Sequence, residues 1–414
     1  MSTAAQRLAD VVRDEGRRVL ATLVRTTGSL TVAEDAVADA VEVALRRWPE
    51  TGVPDEPRAW LTTVARNKAL DMLRRETART RKEADAADLA ASTAPDEPPE
   101  PSVVRDDLLR LVFTCCHPAL RPEAQVALAL RTLCGLATAD VARLLLVPEA
   151  TAAKRLTRAK QKIAVAAIPY RVPEAEDLPD RVGTVATVVH LLFTAGHSGG
   201  ETVVRPQLCD EAIRLGRLLV DLLPDEAQLQ GLLALMLLTD ARRATRTDGH
   251  GRLLTLAEQD RSRWDHDAIA EGQALVQAAL RRSRLAAGRF ELQAAIAACH
   301  AQAPSLEQTD WADVVALYDA LLRVEDTAVV RLNRAVAVGE LTGPAAGLAA
   351  MDAVPGLERL HLWHACRAEQ LLRLGRRDLA VQAWEAALAC EPSPPEAAFI
   401  RDRLARQRAD GPAS

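Results

Sequence analysis

The chain has 414 residues and a formal net charge of −5, and its composition is 49% hydrophobic, 26% charged and 3% aromatic. These values indicate a globular protein of two or three domains. The abundance of Ala, Leu, Arg and Glu over aromatic residues favours an all-α fold and argues against a β-sandwich or barrel. The net negative charge argues against unspecific binding of DNA or membranes by the whole chain, so any nucleic-acid contact must come from segregated basic surfaces.

The N-terminal sequence MSTAAQRLADVVRDEGRR lacks the apolar core of a signal peptide, and no uninterrupted apolar run is long enough to span a bilayer. We therefore expect a cytoplasmic protein with no membrane segment. In that compartment the seven cysteines would be reduced thiols rather than a disulfide framework.

The first predicted block, residues 1–82, contains a helix with an acidic face in LTVAEDAVADAVEVALRRWPE. Thr31 and Glu34 form a capping-box pattern at its start. An apolar stripe of helical spacing is expected to face the core and consists of Val37, Val41, Ala44 and Trp48. A second stripe on another face is acidic and consists of Asp35, Asp39 and Glu42.

The helix that follows, in EPRAWLTTVARNKALDMLRRETARTRK, is basic. Its predicted anchors are apolar and consist of Trp60, Leu61, Val64 and Ala65. Its polar face combines one amide with four cations, namely Asn67, Arg66, Lys68, Arg74 and Arg75. Residues 83–102, EADAADLAASTAPDEPPEPS, are acidic and rich in Ala and Pro with no periodic apolar face, which predicts a flexible linker.

The second block, residues 103–168, ends in two short predicted helices separated by a sharp break. Thr138 is the expected N-cap of the first, and Pro148 suits the first turn of the second. Glu149 to Ile163 holds five cations against one anion, a local net charge of +4 in an acidic chain. The residues expected to face inward are Ala152, Leu156, Ala159 and Ile163.

Polar and basic side chains share the outer face of the second helix, namely Thr151, Lys154, Arg155, Arg158 and Lys162. Two helices with a tight turn and a basic second helix are typical of a helix-turn-helix, in which these residues would read or grip a major groove. A solvated surface helix of a bundle is the alternative. Leu146 stands where the turn of this motif usually has Gly.

The third block, residues 181–414, contains a repeat signal. ACRAEQLLRLGRRDLAVQAWEAALACEP carries small residues and a tryptophan at the offsets of a tetratricopeptide helix pair, namely Ala368, Leu371, Gly375, Ala380, Trp384, Ala387 and Pro392. Small residues would let two antiparallel helices approach, with Trp384 filling the groove. A degenerate copy precedes it, with Ala335 one repeat upstream of Ala368.

The order of these blocks resembles the bacterial extracytoplasmic-function sigma factors of the sigma-70 family. AEDAVADAVEVALRRWP with PRAWLTTVARNKALDMLRR is similar to their region 2, and LRPEAQVALALRTLCGLATADVARLLLVPEATAAKRLTRAKQKI is similar to region 4. Residues 181–414 resemble the tetratricopeptide-like C-terminal extension of one subgroup. That subgroup usually has an aromatic residue where this chain has His197.

The resemblance implies partners and residue roles. Asp35, Asp39 and Glu42 would dock on the β′ clamp helices of core RNA polymerase, which the protein would also contact through the β flap. The family's Gln in this motif is Ala38 here. Asn67 would hydrogen-bond an unpaired base of the −10 element while the four cations around it hold phosphates.

In region 4, Thr151, Arg155 and Arg158 match the usual −35 contacts, with Lys154 and Lys162 beside them. The usual Lys two residues after Thr151 is Ala153, and Lys154 follows it. The local positive charge would then belong to one DNA-reading helix.

Two polar clusters are candidates for chemical sites. Cys115, Cys116 and His117 could ligate zinc, with Cys134 further along, but adjacent cysteines chelate one metal poorly and buried structural thiols are preferred. The segment DGHGRLLTLAEQDRSRWD could be an acid–base site or a structural knot of ion pairs and helix caps. The structural knot is favoured because no nucleophile or phosphate loop accompanies the segment. Its members are Asp248, His250, Asp260, Arg261, Arg263, Asp265 and His266. No metal or cofactor is expected.

These observations predict a promoter-specificity subunit of RNA polymerase without catalytic activity, whose C-terminal domain regulates it or binds a protein partner. Two alternatives remain open. One is a stand-alone helix-turn-helix activator with a tetratricopeptide sensor, and the other is a hydrolase or ligand-binding protein whose helix-turn-helix is incidental. Neither explains the acidic helix at 31–48.

Overall fold

The computed structural model describes residues 3–83, 101–145, 147–166, 168–174, 176–197, 205–283 and 287–409. Within these ranges the regular structure is helical and no β-strand occurs beyond one isolated bridge between Thr247 and Leu253. The predicted all-α fold is therefore confirmed. The chain divides into two compact units, Met1–Leu191 and Leu192–Ser414. No described helix is both long enough and apolar enough to cross a bilayer.

The first unit is built from helices that belong to both of the first two predicted blocks. They are α1 (Thr3–Thr27), α2 (Leu30–Thr51), α3 (Pro57–Glu83), α4 (Pro101–Cys115), α5 (Pro122–Leu128) with a π-helical turn (Ala129–Leu133), α6 (Thr138–Leu144), α7 (Glu149–Val165) and the first part of α8 (Leu178–His197). The predicted linker lies almost entirely at 84–100, outside the described residues, while its two ends are helical because α3 reaches Glu83 and α4 begins at Pro101.

Helix α2 packs through alanines rather than through the predicted valines. Its buried side chains form one stripe, Leu30, Ala33, Ala36, Ala40, Ala44 and Trp48. Val37 and Val41 are only half-buried, because the alanines allow a closer approach of α1 and α3 on the neighbouring face. The predicted capping box is also wrong, since the N-cap is Ser29, whose hydroxyl accepts a hydrogen bond from the Val32 amide at 3.3 Å.

Helices α6 and α7 form the predicted helix-turn-helix, with corrections at both starts. Helix α6 is preceded by Ala137 as its N-cap, so Thr138 is the first helical residue and makes no cap hydrogen bond. Pro148 is the N-cap of α7 rather than part of its first turn. Leu146, in the turn, lies outside the described residues. Ala152, Leu156 and Ala159 are buried as predicted, and Ile163 is half-buried.

The second unit continues α8 and adds ten helices. They are α9 (Pro206–Leu222), α10 (Ala227–Asp240), α11 (His266–Ser283), α12 (Arg289–Gln302), α13 (Trp311–Val324), α14 (Ala328–Thr342), α15 (Pro344–Asp352), α16 (His361–Arg373), α17 (Arg377–Ala389) and α18 (Pro394–Ala409). Consecutive helices pack against each other from α9 to α18, including α10 and α11, which the long segment Ala241–Asp265 joins.

The predicted repeat forms a helix pair, α16 and α17. Trp384 is buried in a core shared with α16 and α18 and meets Phe399 edge-on at 6.4 Å. The upstream candidate also forms a pair, α14 and α15, which cross where Gly347 faces Gly339. A Cβ at position 347 would lie 2.6 Å from the Gly339 Cα, so this crossing requires glycine. The tetratricopeptide character of the unit stays a prediction.

Two buried histidines in the second unit should make its stability depend on pH. Burial and nearby arginines lower the pKa of His197 to about 3 and that of His300 to about 4. Below about pH 6.5 the unfolded chain binds protons that the folded imidazoles refuse until pH 3–4. We therefore expect the free energy of unfolding, measured by urea denaturation, to fall as the pH drops from 7 to 4.5.

The variant His300→Gln should remove roughly half of the histidine contribution to this slope. His250→Gln, which removes an exposed imidazole from the same unit, is the matched control and should leave the slope unchanged. An H300Q slope equal to that of the wild-type protein would contradict this account.

Candidate nucleic-acid interface

Helix α7 presents a row of cations on the side away from its core. Lys154, Arg158 and Lys162 are exposed, and Thr151 and Arg155 are half-buried beside them. Within the described parts of the chain, none of these four cations forms an ion pair. Cations on a protein surface usually find carboxylates in an acidic chain, so an unneutralised row is suited to an external polyanion.

Lys160 also contributes to the positive charge of α7, but it does not belong to the exposed row. It lies about 180° around the helix from Thr151, on the side opposite the exposed row, and pairs with the buried Glu34 of α2. The Thr132 hydroxyl donates to the other oxygen of the same carboxylate at 3.1 Å. This cation therefore serves the contact between α7 and α2 rather than the outer face.

Buried thiols and an amide support the helix-turn-helix from behind. Cys115, Cys116 and Cys134 are buried, as the sequence predicts, and burial raises the pKa of Cys116 to about 12. The Gln125 side-chain amide donates to the His117 carbonyl oxygen at 2.8 Å, which fixes the turn between α4 and α5. Protonated thiols in an apolar setting act here as small core side chains.

The basic surface of α3 lies next to the acidic face of α2. Asn67 is exposed, flanked by the half-buried Arg66 and Lys68, with Arg74 and Arg75 exposed further along. The Lys68 ammonium lies 4.0 Å from the Asp39 carboxylate, and both side chains are about two-fifths exposed. An exposed pair at this distance contributes little energy and separates readily. The two surfaces predicted to bind different partners are therefore neighbours.

Asp35 and Glu42 are exposed on α2, and Asp39 is half-buried between them. Glu42 is 3.6 Å from the exposed Arg46 one turn later. The acidic stripe is therefore accessible to a basic partner. Trp60 is half-buried and contacts Trp48 edge-on, with ring centroids 5.5 Å apart, so it belongs mainly to the packing of α2 on α3.

Contacts between the first two predicted blocks were not predicted from the sequence. The Arg25 guanidinium donates to the buried Asp107 carboxylate at 2.8 Å, joining α1 to α4. The Tyr170 hydroxyl lies 2.9 Å from the Ala21 carbonyl oxygen and 2.8 Å from that of Asp107. We call these two interactions, together with the Glu34–Lys160–Thr132 contact, the closing contacts.

The polar segment at 248–266 is a structural knot, as preferred from the sequence. Asp248 accepts from the amides of residues 250 and 252, Asp260 caps the turn at Ser262, and Asp265 accepts from the Ala268 amide. Arg261 donates to two backbone carbonyl oxygens, those of residues 300 and 303, at 2.6 and 2.7 Å. Its carboxylates thus bind backbone amides rather than converge on a common point.

Comparison with known proteins matches three separate parts of the chain to family models. Residues 11–80 match the family model described as sigma-70 region 2, and residues 110–163 match sigma-70 region 4. Residues 181–280 match a family of unknown function (DUF6596). The chain is 42% identical over 397 residues to an uncharacterized protein of Rhizobium meliloti (strain 1021), covering 94% of this chain and 92% of that protein.

The acidic helix, the basic helix and the helix-turn-helix, in this order, lie within the two matched regions and support a sigma-factor-like role in promoter recognition. More specifically, the chain carries sigma-70 regions 2 and 4 in its first unit, and a helical extension follows them.

Proposed function

We propose that the protein is an alternative sigma factor of the extracytoplasmic-function type, which directs core RNA polymerase to specific promoters in the cytoplasm. The observation that carries this proposal is the presence of two basic surfaces on separate helical blocks beside an accessible acidic stripe. In this proposal the domains are region 2 at 1–82, a linker at 83–102, region 4 at 103–168 and a C-terminal regulatory domain at 181–414.

The −35 element is assigned to the outer face of α7. The arginines Arg155 and Arg158 can pair with guanine edges, and Lys154 and Lys162 can hold phosphates at the groove margins. Their lack of intramolecular ion pairs among the described residues supports this role, because DNA does not have to displace a carboxylate.

The −10 element is assigned to α3, with Asn67 as the base-contacting residue and the neighbouring cations on the phosphates. Asn67 offers one acceptor and two donors, and it is exposed in the middle of the basic surface. Asp35, Asp39 and Glu42 are assigned to the β′ clamp helices, where their charge would steer association.

The decisive experiment is run-off transcription with core polymerase on the promoter of the protein's own gene cluster. Transcription that requires both the core enzyme and this chain supports the proposal. If the chain binds its promoter specifically without core polymerase, and activates transcription without forming a complex with the core enzyme, the result supports the stand-alone activator instead.

A regulatory role for the second unit can be tested in the same assay with a chain ending at residue 197. This end point keeps Tyr170 and Arg181, which donates to the Phe113 carbonyl oxygen at 2.6 Å, so the first unit retains its contacts. Altered promoter output from the shortened chain supports regulation by the second unit, and identical output contradicts it.

Replacing Asn67 by Ala should impair promoter opening more than polymerase binding. The change removes the amide that would bind an unpaired base but leaves every core contact of α3 intact. We expect open-complex formation, followed by permanganate footprinting, to fall about tenfold or more, while core affinity changes less than about twofold. Thr63→Ala, an exposed change on the same helix, is the control. Unchanged opening in N67A would contradict the assignment of α3.

A further inference from the structure

The second unit contains a cavity that neither the predicted DNA contacts nor the polymerase contacts use. It has two adjoining lobes of about 520 Å³ and about 880 Å³, a size typical of small-molecule sites. Five residues line both lobes and so lie where they join, namely Arg242, Leu256, His300, Tyr318 and Asn333. The walls come from α10, α12, α13, α14 and α16.

Arg242 is the unusual member of this set. Among the described residues, no carboxylate pairs with its guanidinium and no hydrogen bond from it is found. Burial, together with Arg246 and Arg261, lowers its pKa to about 10, so it remains a cation at neutral pH. Arg242 is half-buried and lines the cavity without a counter-ion, so a partner supplied from outside can pair with it.

The carboxylates that line the cavity lie beside other arginines rather than beside Arg242. Glu325 accepts from Arg289 at 3.2 Å, Glu340 from Arg373 at 2.6 Å, and Glu258 from Arg403 at 3.0 Å. Glu369 lies 3.9 Å from the same Arg403. Arg373 and Arg403 thus have carboxylate neighbours, and Arg242 is the arginine of the described wall that has none.

The surroundings of Arg242 favour an organic rather than an inorganic anion. The first lobe is walled partly by polar side chains such as Gln293 and Asn333 and partly by leucine, isoleucine and valine side chains, namely Leu235, Leu238, Ile296, Leu321 and Val330. His300 is neutral at pH 7, and its buried Nδ1 has no hydrogen-bond partner among the described residues. One cation, one neutral polar ring and an apolar wall match a monovalent head on an apolar body.

We infer that this cavity binds a small organic carboxylate, whose head pairs with Arg242 and whose apolar body fills the first lobe. The planar guanidinium can hold a carboxylate through two parallel hydrogen bonds, and His300 can add a third contact at the junction of the lobes. A polyphosphate would need further cations, but Arg246 already donates to the His197 carbonyl oxygen and Arg261 to two carbonyl oxygens.

The test is isothermal titration of the full-length protein with octanoate and with 1-octanol, its neutral counterpart. We expect saturable 1:1 binding of octanoate at least about tenfold tighter than that of octanol. Arg242→Gln should weaken octanoate binding by about tenfold or more and leave octanol unaffected. Arg263→Gln, which removes an exposed arginine nearby in the chain, is the matched control and should bind octanoate like the wild type.

Equal octanoate affinity in R242Q and the wild-type protein would overturn the inference, as would the lack of saturable binding for every carboxylate from hexanoate to dodecanoate. The preference of the wild-type protein for octanoate over octanol tests the charge requirement even if R242Q does not fold. Equal binding of both compounds would make the cavity merely apolar and would also overturn it. Since neither DNA nor polymerase is present, the result is independent of the proposed sigma function.

Discussion

Replacing Glu34 by Lys should strengthen binding to core polymerase by about tenfold or more, although it removes an acidic residue from the helix that carries the acidic stripe. Glu34 is nearly buried against Lys160 and Thr132, so reversal places two ammonium groups where an ion pair was. Like charges at such a contact favour the separated arrangement of regions 2 and 4.

Separation is required by the length of a promoter. The −35 and −10 elements lie about 25 base pairs apart, which is about 85 Å of duplex at 3.4 Å per base pair. A region 4 whose recognition helix touches α2 through Lys160 cannot reach one element while α3 binds the other. On the proposed assignment of the two elements, the described arrangement of the first unit is closed, and promoter binding would break the closing contacts.

The closed arrangement also approaches the docking surface. Val37, Ala38 and Val41 line a cavity of about 260 Å³ together with Thr132 and its neighbours of region 4. Asp35 and Asp39 lie on the adjacent face of the same helix, so region 4 would limit the approach of the clamp helices.

Two comparisons make the Glu34→Lys experiment specific. Affinity for an isolated −35 duplex should stay unchanged, because the exposed row of α7 lies opposite Lys160 and is accessible in both arrangements. Asp35→Lys, an equal charge change at an exposed neighbour, should weaken core binding instead. If E34K and D35K lowered core affinity alike, Glu34 would be a docking residue and the closed arrangement would have no effect. Fluorescence anisotropy with labelled core polymerase measures the core affinities of the wild-type protein, E34K and D35K.

Periodicity predicted the parts of this arrangement that depend on one helix. The outer row of α7 and its buried alanines follow from spacing alone, because each residue's neighbours lie three or four positions away. The acidic and basic stripes of α2 and α3 were found in the same way. Whether the acidic and basic stripes are accessible depends on which face of each helix packs against its neighbours. The acidic stripe of α2 stays accessible because α2 buries a different stripe, which consists mainly of alanines.

Contacts between distant segments could not be predicted in this way. Arg25 and Asp107 are 82 positions apart, and Tyr170 meets Ala21 across 149 positions. No periodic signal links such residues, and a proline-rich connector gave no reason to place Tyr170 against region 2. The caps failed for a more local reason. Ser29 and Thr31 are both suitable N-caps, and the choice depends on the residue at which the chain enters the helix.

The arginine cavity escaped prediction for the same reason. Arg242 belongs to a segment rich in arginines, and its neighbour Arg243 pairs with Asp240 at 2.6 Å. Only the three-dimensional structure shows that Arg242, beside it in the chain, forms no ion pair among the described residues. An unmatched charge is a property of three-dimensional neighbours, so composition and local spacing carry no trace of it.

Replacing Trp48 by Ala should destabilise the region 2 bundle by about 3–5 kcal/mol and abolish binding to both core polymerase and the −10 element. Trp48 is 2% exposed and contacts Trp60, whereas the other buried positions of α2 after Leu30 are alanines. Alanines let the helices approach but contribute little buried area, so one large side chain supplies much of the packing. Neighbouring alanines cannot expand to refill the space it leaves.

Both functional losses would follow from this single change at a residue that contacts neither partner, because α2 carries the acidic stripe and α3 carries Asn67. Trp48→Phe should retain most of the stability, since the indole Nε1 has no hydrogen-bond partner among the described residues and only packing area is lost. Leu45→Ala, at a half-exposed position of the same helix, is the matched control and should change stability by less than about 1 kcal/mol. Urea denaturation followed by circular dichroism measures the three variants, and a W48A midpoint equal to that of L45A would mean that the alanine stripe alone holds region 2 together.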